Sequence, residues 1–210
     1  MSDDHAPSAV AERRFLIIFV KNPVAGKVKT RLARTMGDEA ALHIYRILLA
    51  AARETALGVD AKRLLCYSDD VIADDAWDPT FFRKEKQAEG DLGRRMAAAF
   101  GRAFALGAHK AVIMGSDCPD LSAHIVRRAY EALDCADVCM GPTFDGGYYL
   151  LGMKRPHDAL FDDVAWSTEK VAAETRRRIV GAGLSVAELP MLGDIDEEDD
   201  WRRWVGSRPL

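Results

Sequence analysis

The chain has 210 residues, of which 49% are hydrophobic and 30% charged, and 29 basic against 33 acidic residues give it a formal net charge of −4 at pH 7. This length favours one globular domain, and the charge gives no reason to expect binding to nucleic acid or to an anionic membrane. The longest strongly apolar run, residues 15–20, is far too short to cross a bilayer, and the polar residues before it do not resemble a secretory signal, so we expect a cytoplasmic protein without membrane insertion.

The four cysteines form no CxxC pair, and no histidine stands at a zinc-ligand spacing from them. This argues against a disulfide framework and against a zinc site, so we expect reduced thiols. Cys118 lies beside a candidate site described below and could act as a nucleophile. A packing role is favoured over a nucleophilic one.

The start of the chain predicts a mobile tail followed by a buried strand. Residues 1–13 have the composition of a tail, and residues 14–206 are expected to form a single domain. FLIIFV, residues 15–20, is a continuous apolar run rich in strand formers. Such a run is typical of a central strand that is buried on both faces of a parallel sheet.

A basic loop follows this strand. KNPVAGKVKTRLA, residues 21–33, is neither a Walker loop nor a GxGxxG loop, but glycine allows close approach to a phosphate, and lysine and arginine bind it by charge. A solvated basic loop is the alternative, and the position after the first strand favours phosphate binding. The residues concerned are Lys21, Pro23, Gly26, Lys27, Lys29 and Arg31.

A long helix and a second strand are predicted next. Asp38 is expected to cap the helix, and Gly58 to end it after a regular apolar stripe. RLLCY, residues 63–67, is a plausible second strand, and the acidic loop after it reads as solvated charge.

A short edge strand is expected at residues 81–87. QAEGDLGRRM, residues 87–96, then brings a glycine-rich turn into another helix, with Asp91 as its N-cap and Gly107 near its end.

The stretch AVIMGSDCPDL, residues 111–121, contains the most informative carboxylates. Residues 111–114 predict a buried strand, and Ser122 is expected to cap the helix that follows. Asp117 then lies at the carboxyl end of a strand, where open α/β sheets bind ligands, and with Asp120 it can hold a hard cation against a phosphate. A loop aspartate that caps the next helix is the alternative.

A second turn and strand follow in GPTFDGGYYLLGM, residues 141–153. Residues 138–141 and 148–151 predict short strands, and Asp145, Gly146 and Gly147 predict a tight turn between them. A hairpin turn alone explains this pattern, and so does a substrate site in which tyrosines contact a ring. The residues leave both interpretations open.

The last third of the chain predicts a helix, a short strand and a terminal helix. Ser167 or Thr168 is expected to cap the first helix, and residues 185–189 to form the last strand. DIDEEDDW, residues 194–201, opens the terminal helix with acids, which suits the helix dipole, and leaves Asp194 and Asp196 available as metal ligands. The inward side chains of that helix are expected to be Trp201, Trp204 and Val205.

This alternation of strands and helices favours a three-layer α/β/α sandwich. In addition, the segments KNPVAGKVKTRL, QAEGDLGRRM, VIMGSDCPDL, GPTFDGGYYLLG, WSTEKV and DIDEEDD occur in an order that resembles a glycosyltransferase-like family. Members have the Rossmann-like GT-A, or nucleotide-diphospho-sugar transferase, fold with a mixed, mostly parallel sheet, and some are linked to arsenosugar synthesis. The family is more distantly similar to 2-phospholactate and molybdenum-cofactor guanylyltransferases.

The resemblance, which runs from about residue 15 to residue 204, implies a set of site residues. It implies Mg²⁺ or Mn²⁺ bound by Asp117 and by Asp194 or Asp196, although Glu197 replaces the threonine of the family's usual DIDTxxDL. Catalytic roles would belong to Lys27, Lys29, Arg31, Asp117 and Asp145, the last as a base or a further ligand. The nucleotide would contact Lys21, Pro23, Gly26, Lys27, Lys29, Arg31, Gln87, Gly90, Gly93, Ser116 and Asp117. The acceptor or transferred group would contact Asp145, Gly146, Gly147, Tyr148 and Trp166.

The expected function is therefore a metal-dependent transferase that moves a group from a nucleotide-diphospho-sugar to a small-molecule acceptor. The first alternative is a nucleotidyltransferase that uses a nucleoside triphosphate, modifies a phosphorylated small molecule and releases pyrophosphate. The second is a nucleotide-binding protein without catalysis. The sequence does not distinguish these three possibilities, and it does not define the oligomeric state.

Overall fold

A computed structural model describes residues 13–207, so the predicted tail, apart from Arg13, lies outside the described residues. The strands are β1 (Arg14–Val20), β2 (Lys62–Tyr67), β3 (Phe82–Lys86), β4 (Lys110–Met114), β5 (Val138–Pro142), β6 (Tyr148–Met153) and β7 (Val186–Glu188). The α-helices are α1 (Thr30–Met36), α2 (Asp38–Leu57), α3 (Leu92–Ala105), α4 (Ala123–Cys135), α5 (Val171–Gly181) and α6 (Glu198–Gly206). A short 3₁₀ helix covers Asp158–Leu160.

The strands form one mixed sheet in the order β3-β2-β1-β4-β6-β5-β7. β1 pairs in parallel with β2 and with β4, and β2 pairs in parallel with β3. β6 runs antiparallel to its neighbours β4 and β5, and β7 runs parallel to β5. The predicted mixed, mostly parallel sheet is confirmed, with β3 at one edge as expected.

Helices cover both faces of the sheet, which gives the predicted three layers. Along β1, Leu16, Ile18 and Val20 pack into the core beneath α2 and α4, whereas Phe15 and Ile17 pack into the core beneath α3. The side chains of a strand alternate between the two faces, so a strand covered on both faces must be apolar at every position. This explains why FLIIFV reads as a continuous apolar run.

Two of the predicted helix caps are confirmed by the hydrogen bonds they make. Asp91 accepts the backbone N–H of Arg94 at 2.9 Å at the start of α3, and Ser122 accepts that of Ile125 at 3.4 Å at the start of α4. These caps were predictable because each bond spans three residues. The helix following Asp117 is therefore capped by Ser122, which leaves the Asp117 carboxylate for other contacts.

Other predicted termini are wrong. Asp38 is the first residue of α2, and Gly37, with φ of 85°, is its N-cap. Neither Ser167 nor Thr168 caps α5, which begins at Val171, because the hydroxyl of Thr168 donates to Ala165 O within the preceding turn. The prediction that Val205 of the terminal helix points inward is also wrong, because this residue is 48% exposed.

Helix α1 was not predicted, although it forms part of the basic segment. Only Leu32 of its seven residues is buried, so it lacks the long apolar stripe by which helices are recognised in sequences. Leu32 packs with Val28, Tyr45 and Leu48 in a third apolar cluster, against which the tryptophans of α6 also lie. Tertiary packing therefore stabilises this short helix. Among residues 13–207, no helix combines the length and the hydropathy needed to cross a membrane.

Candidate functional site

A cleft of about 700 Å³ opens at the carboxyl ends of β1 and β4, beside the start of β6. This is the edge of an open α/β sheet at which ligands bind, and the volume lies within the usual range for small-molecule sites. The predicted site residues that line it are Lys21, Lys29, Arg31, Gln87, Ser116, Asp117, Asp145, Gly147, Tyr148, Trp166 and Asp196.

The other predicted site residues lie behind the wall of the cleft or beside it. Lys27 is exposed, and Pro23 lines a smaller neighbouring cavity. Gly93 allows α3 to approach Trp166, whose ring would be 2.7 Å from an added Cβ atom. Gly93 therefore allows the close packing that positions Trp166 in the wall of the cleft. The residues outside the wall are Pro23, Gly26, Lys27, Gly90, Gly93, Gly146 and Asp194.

Lys29 is the central charged residue of the cleft. Its ammonium lies 2.8 Å from Asp117 Oδ1 and 3.0 Å from Asp196 Oδ1, and its side chain is only 5% exposed. Burial disfavours the charge, but the charges and hydrogen bonds of the two carboxylates outweigh burial and raise the pKa of Lys29. Lys29 is therefore a charged lysine at neutral pH.

The backbone explains why Lys29 rather than Lys27 points inward. Lys29 adopts the left-handed conformation, with φ of 47° and ψ of 46°, immediately before α1. This conformation is strained for a residue other than glycine, and such strain persists only where the surroundings enforce it. Burial of Val28 and Leu32 on either side provides that constraint.

Asp196 reaches Lys29 because the acidic C-terminal segment is anchored on both sides. Ile195 is buried, and its N–H donates to Asp117 O at 2.9 Å, which joins this segment to the loop after β4. On the other side, Glu197 and Asp200 form a reciprocal capping box at the start of α6. Asp120 was expected to join Asp117 in a cation site. Its carboxylate instead accepts a hydrogen bond from Trp204 Nε1 at 3.0 Å, which attaches α6 to the loop after β4.

Asp145 also lines the cleft and lies in the turn between β5 and β6. Its Oδ1 accepts the Thr143 hydroxyl and the N–H of Gly147, the latter at 3.0 Å. The turn is closed by a bond of 3.0 Å from Thr143 N to Gly147 O. DGG is therefore a turn that also supplies the wall of the cleft, so both sequence interpretations fit the geometry.

Asp194 is not one of the two aspartates that pair with Lys29, and the charges of other acids act on it. Burial, together with the charges of Asp145 and Asp196, raises its pKa from 3.8 to about 6. Asp194 therefore takes up a proton more readily than an ordinary aspartate.

The Asp194→Asn variant should be more stable than the wild type at pH 7.5 but not at pH 4. The pKa of Asp194 is higher in the folded than in the unfolded protein, so the native protein loses stability as pH rises from about 4 to about 6. Asparagine does not ionise, so the variant does not lose this stability. Asp194 is only partly buried, so solvent screening reduces the effect of its pKa shift, and we expect a gain of about 1–2 kcal/mol at pH 7.5, measured by urea unfolding.

The matched control is Asp74→Asn, which alters an exposed aspartate of the loop after β2. It should change stability by the same small amount at both pH values. If Asp194→Asn and the wild type have the same free energy of unfolding at both pH values, the raised pKa of Asp194 is contradicted.

Tyr45 and Arg95 are among the cleft residues that the sequence analysis did not assign to the site. Tyr45 of α2 accepts the N–H of Lys21 at 2.8 Å, donates to Lys21 O at 3.2 Å and lies 3.4 Å from Ser116 Oγ, so it holds the ends of two strands together. Arg95 lines the cleft and lies 3.4 Å from Gln87 Oε1. The sequence did contain one signal for Arg95. It lies near the start of α3, where the helix dipole disfavours a basic side chain, which indicates a role other than helix stabilisation.

Cys118 packs in the apolar core, as predicted, and Cys66 and Cys139 are also buried there, whereas Cys135 is exposed. All four are free thiols. Burial raises the pKa of Cys118 to about 12, so its thiol is protonated at neutral pH and is a poor nucleophile.

The carboxylates fit a divalent cation that arrives with a phosphate. Asp117 and Asp196 each direct an oxygen at one positive group, and Mg²⁺ is commonly bound by one or two carboxylates together with substrate phosphates. Within residues 13–207, no group of three histidine, cysteine, aspartate or glutamate side chains is arranged to hold a metal. The two aspartates are thus a partial ligand set that a phosphate would complete.

The layered sheet, the strand order and the ligand cleft define a protein with the nucleotide-diphospho-sugar transferase fold. The chain belongs to the DUF2064 family, described as uncharacterized proteins conserved in bacteria, whose model matches residues 48–168. No curated protein matches the sequence.

Solved structures of similar proteins agree with this fold. A protein from Desulfovibrio desulfuricans G20, provisionally assigned as a nucleotide-diphospho-sugar transferase, is 33% identical, with 88% of this chain and 83% of that one covered and a TM-score of 0.80. A nucleotidyl transferase from Methanothermobacter thermautotrophicus is 11% identical, with coverage of 91% and 95% and a TM-score of 0.58. Rv0371c from Mycobacterium tuberculosis H37Rv, in complex with manganese, is 16% identical, with coverage of 93% and 100% and a TM-score of 0.54. The two more distant structures share the fold.

Proposed function

We propose that this protein is a transferase that binds a nucleotide-diphospho-sugar in the cleft and passes the sugar to a small-molecule acceptor. The observation that carries the proposal is the buried Lys29, paired with Asp117 and Asp196 in a cleft of about 700 Å³ at the ligand-binding edge of the sheet. The similarity to the Desulfovibrio protein, over most of both chains, supports the same substrate class.

The cations of the cleft are suited to a diphosphate. Lys21, Lys29, Arg31 and Arg95 all line it, and preorganised positive groups stabilise negative charge best where water is largely excluded. Arg31 is mostly exposed, at 59%, and lies 3.7 Å from Asp196, so it can turn towards a ligand at little cost. We assign these side chains to binding and neutralising the phosphates of the donor.

Asp117 and Asp196 would hold Mg²⁺ or Mn²⁺. When bound, such an ion supplies Lewis-acid stabilisation of the departing diphosphate. In the transfer, an acceptor oxygen forms a bond to the sugar's anomeric carbon, and the bond from that carbon to the diphosphate breaks, so that the nucleoside diphosphate leaves with the bonding electrons. Asp145 lines the same cleft, and we assign to it the role of the base that receives the acceptor's proton.

Nucleotidyl transfer from a nucleoside triphosphate is the second candidate. The same four cations favour it, because they match the larger charge of a triphosphate. In this reaction, an oxygen of a phosphorylated small molecule would attack the α-phosphate, and pyrophosphate would leave.

A thermal-shift panel tests these proposals. Nucleoside diphospho-sugars and nucleoside triphosphates are each added with and without Mn²⁺, because a ligand that binds only the native state raises the melting temperature. At about 100 times the dissociation constant, the gain is about 2.7 kcal/mol, which is several degrees for a domain of this size. Metal-dependent stabilisation by one nucleotide sugar supports glycosyl transfer and identifies the donor.

The other outcomes of the panel are equally informative. Selective stabilisation by a triphosphate would replace the first candidate by nucleotidyl transfer. If a nucleotide binds tightly but a turnover assay with small-molecule acceptors, arsenical acceptors included, gives no product, the protein binds nucleotides without catalysis. No shift with either class would overturn the proposed function.

A further inference from the structure

We propose that Lys29 acts as an internal cation that competes with a divalent metal for Asp117 and Asp196, so that the protein binds metal weakly until a phosphate accepts the Lys29 ammonium. The inference deepens the proposed function and rests on it for the identity of the phosphate. It concerns a regulatory role for a residue of the cleft, in addition to any contact that residue makes with a donor.

The first argument is geometric. The ammonium of Lys29 makes close contacts with one oxygen of each carboxylate, at 2.8 and 3.0 Å. A divalent ion shared by the same two oxygens would lie in the same space, about 2.0–2.6 Å from each of them. The ammonium and the metal therefore exclude each other at this position.

The second argument is electrostatic. Two carboxylates that face one ammonium have a net charge of −1, whereas without the ammonium they have a net charge of −2. The attraction of a divalent ion for the pair is correspondingly reduced while Lys29 is in place.

The third argument concerns where Lys29 can go. Its side chain is 5% exposed, and its neighbours Val28 and Leu32 are buried, so the cleft is the side on which the ammonium can find a new partner. Because Lys29 also lines the cleft, a phosphate bound there can accept its ammonium. Metal and phosphate ligands should then bind with positive coupling, each increasing the affinity for the other.

The test measures Mn²⁺ binding by electron paramagnetic resonance of the free ion, with protein alone and without nucleotide. Wild type is compared with Lys29→Met, which retains the length and the packing of the side chain but removes its charge. We expect Lys29→Met to bind Mn²⁺ about tenfold more tightly, within the usual range of coupling energies. Asp117 and Asp196 are 48% and 37% exposed, so they should tolerate the loss of their partner without unfolding.

Three further variants make the result specific. Lys27→Met removes the same charge from an exposed position of the same segment and should change Mn²⁺ affinity much less. Lys29→Gln provides a second neutral side chain should Lys29→Met fold poorly, and is expected to bind Mn²⁺ more tightly than wild type. The double variant Lys29→Met with Asp117→Asn should lose the gain, because one of the two ligands is removed.

The proposal is overturned if neither neutral variant at position 29 binds Mn²⁺ more tightly than wild type, or if Lys27→Met shows the same gain. It is also overturned if the double variant keeps the gain, since the metal then binds elsewhere. The readout uses no nucleotide, so failure of every nucleotide to bind would contradict the proposed function and leave this measurement unaffected.

Discussion

Replacing Asp117 by alanine is expected to lower turnover of the donor identified in the binding panel by at least about 100-fold, which corresponds to about 2.7 kcal/mol of lost transition-state stabilisation. Asp117 contacts Lys29 and is one of the two carboxylates suited to a metal, so its removal affects both the metal and the cation that faces the phosphates. Release of nucleoside diphosphate, measured with excess Mn²⁺, reports the loss.

The fold should be little affected by this change. The Asp117 side chain is 48% exposed, and its structural contact, the acceptance of the Ile195 N–H, is made by the backbone and survives the substitution. The matched control is Asp134→Ala, which also removes an aspartate paired with a lysine, Lys110, but far from the cleft. Full turnover by Asp117→Ala, or equal losses in the two variants, would contradict the role of Asp117.

Replacing Gly146 by alanine is expected to destabilise the protein by about 3 kcal/mol, because two unfavourable effects combine. The residue has φ of +89°, and an added Cβ atom would lie 1.9 Å from the backbone oxygen of Glu169. That backbone cannot withdraw freely, since Ala172 N donates to Gly146 O at 2.9 Å and ties the start of α5 to the turn. The free energy of unfolding in urea measures the loss.

Gly183→Ala separates the two effects. Gly183 also has positive φ, at +71°, but an added Cβ atom would meet nothing within 4 Å. The backbone strain alone should cost about 1 kcal/mol at this site. If Gly146→Ala lowers the free energy of unfolding no more than Gly183→Ala does, then the DGG turn does not pack closely against the backbone of Glu169.

The strands and most helices were predictable because their signals are local or periodic. A central strand such as β1 is covered on both faces, so every position must be apolar, and this pattern can be read without knowledge of the neighbouring strands. The caps Asp91 and Ser122 bond to an N–H three residues away, so the tertiary structure is not needed to recognise them.

The errors occur where packing between distant segments overrides the local signal. Helix α1 is short and polar and is stabilised by one buried leucine against α2, which no periodicity in seven residues reveals. The hydroxyl of Thr168 resembles a helix cap in sequence, but a nearer carbonyl, that of Ala165, takes its hydrogen bond.

By itself, the sequence determined the layered architecture, and most of the candidate residues that it indicated line the cleft. It could not distinguish Lys29 from Lys27, or Asp196 from Asp194, because each pair has the same chemistry two positions apart. The tertiary structure decided both, since Lys29 and Asp196, 167 positions apart, meet only after α1 and the acidic segment pack against α2. Charge pairing depends on distance in space, and local sequence patterns do not contain that distance.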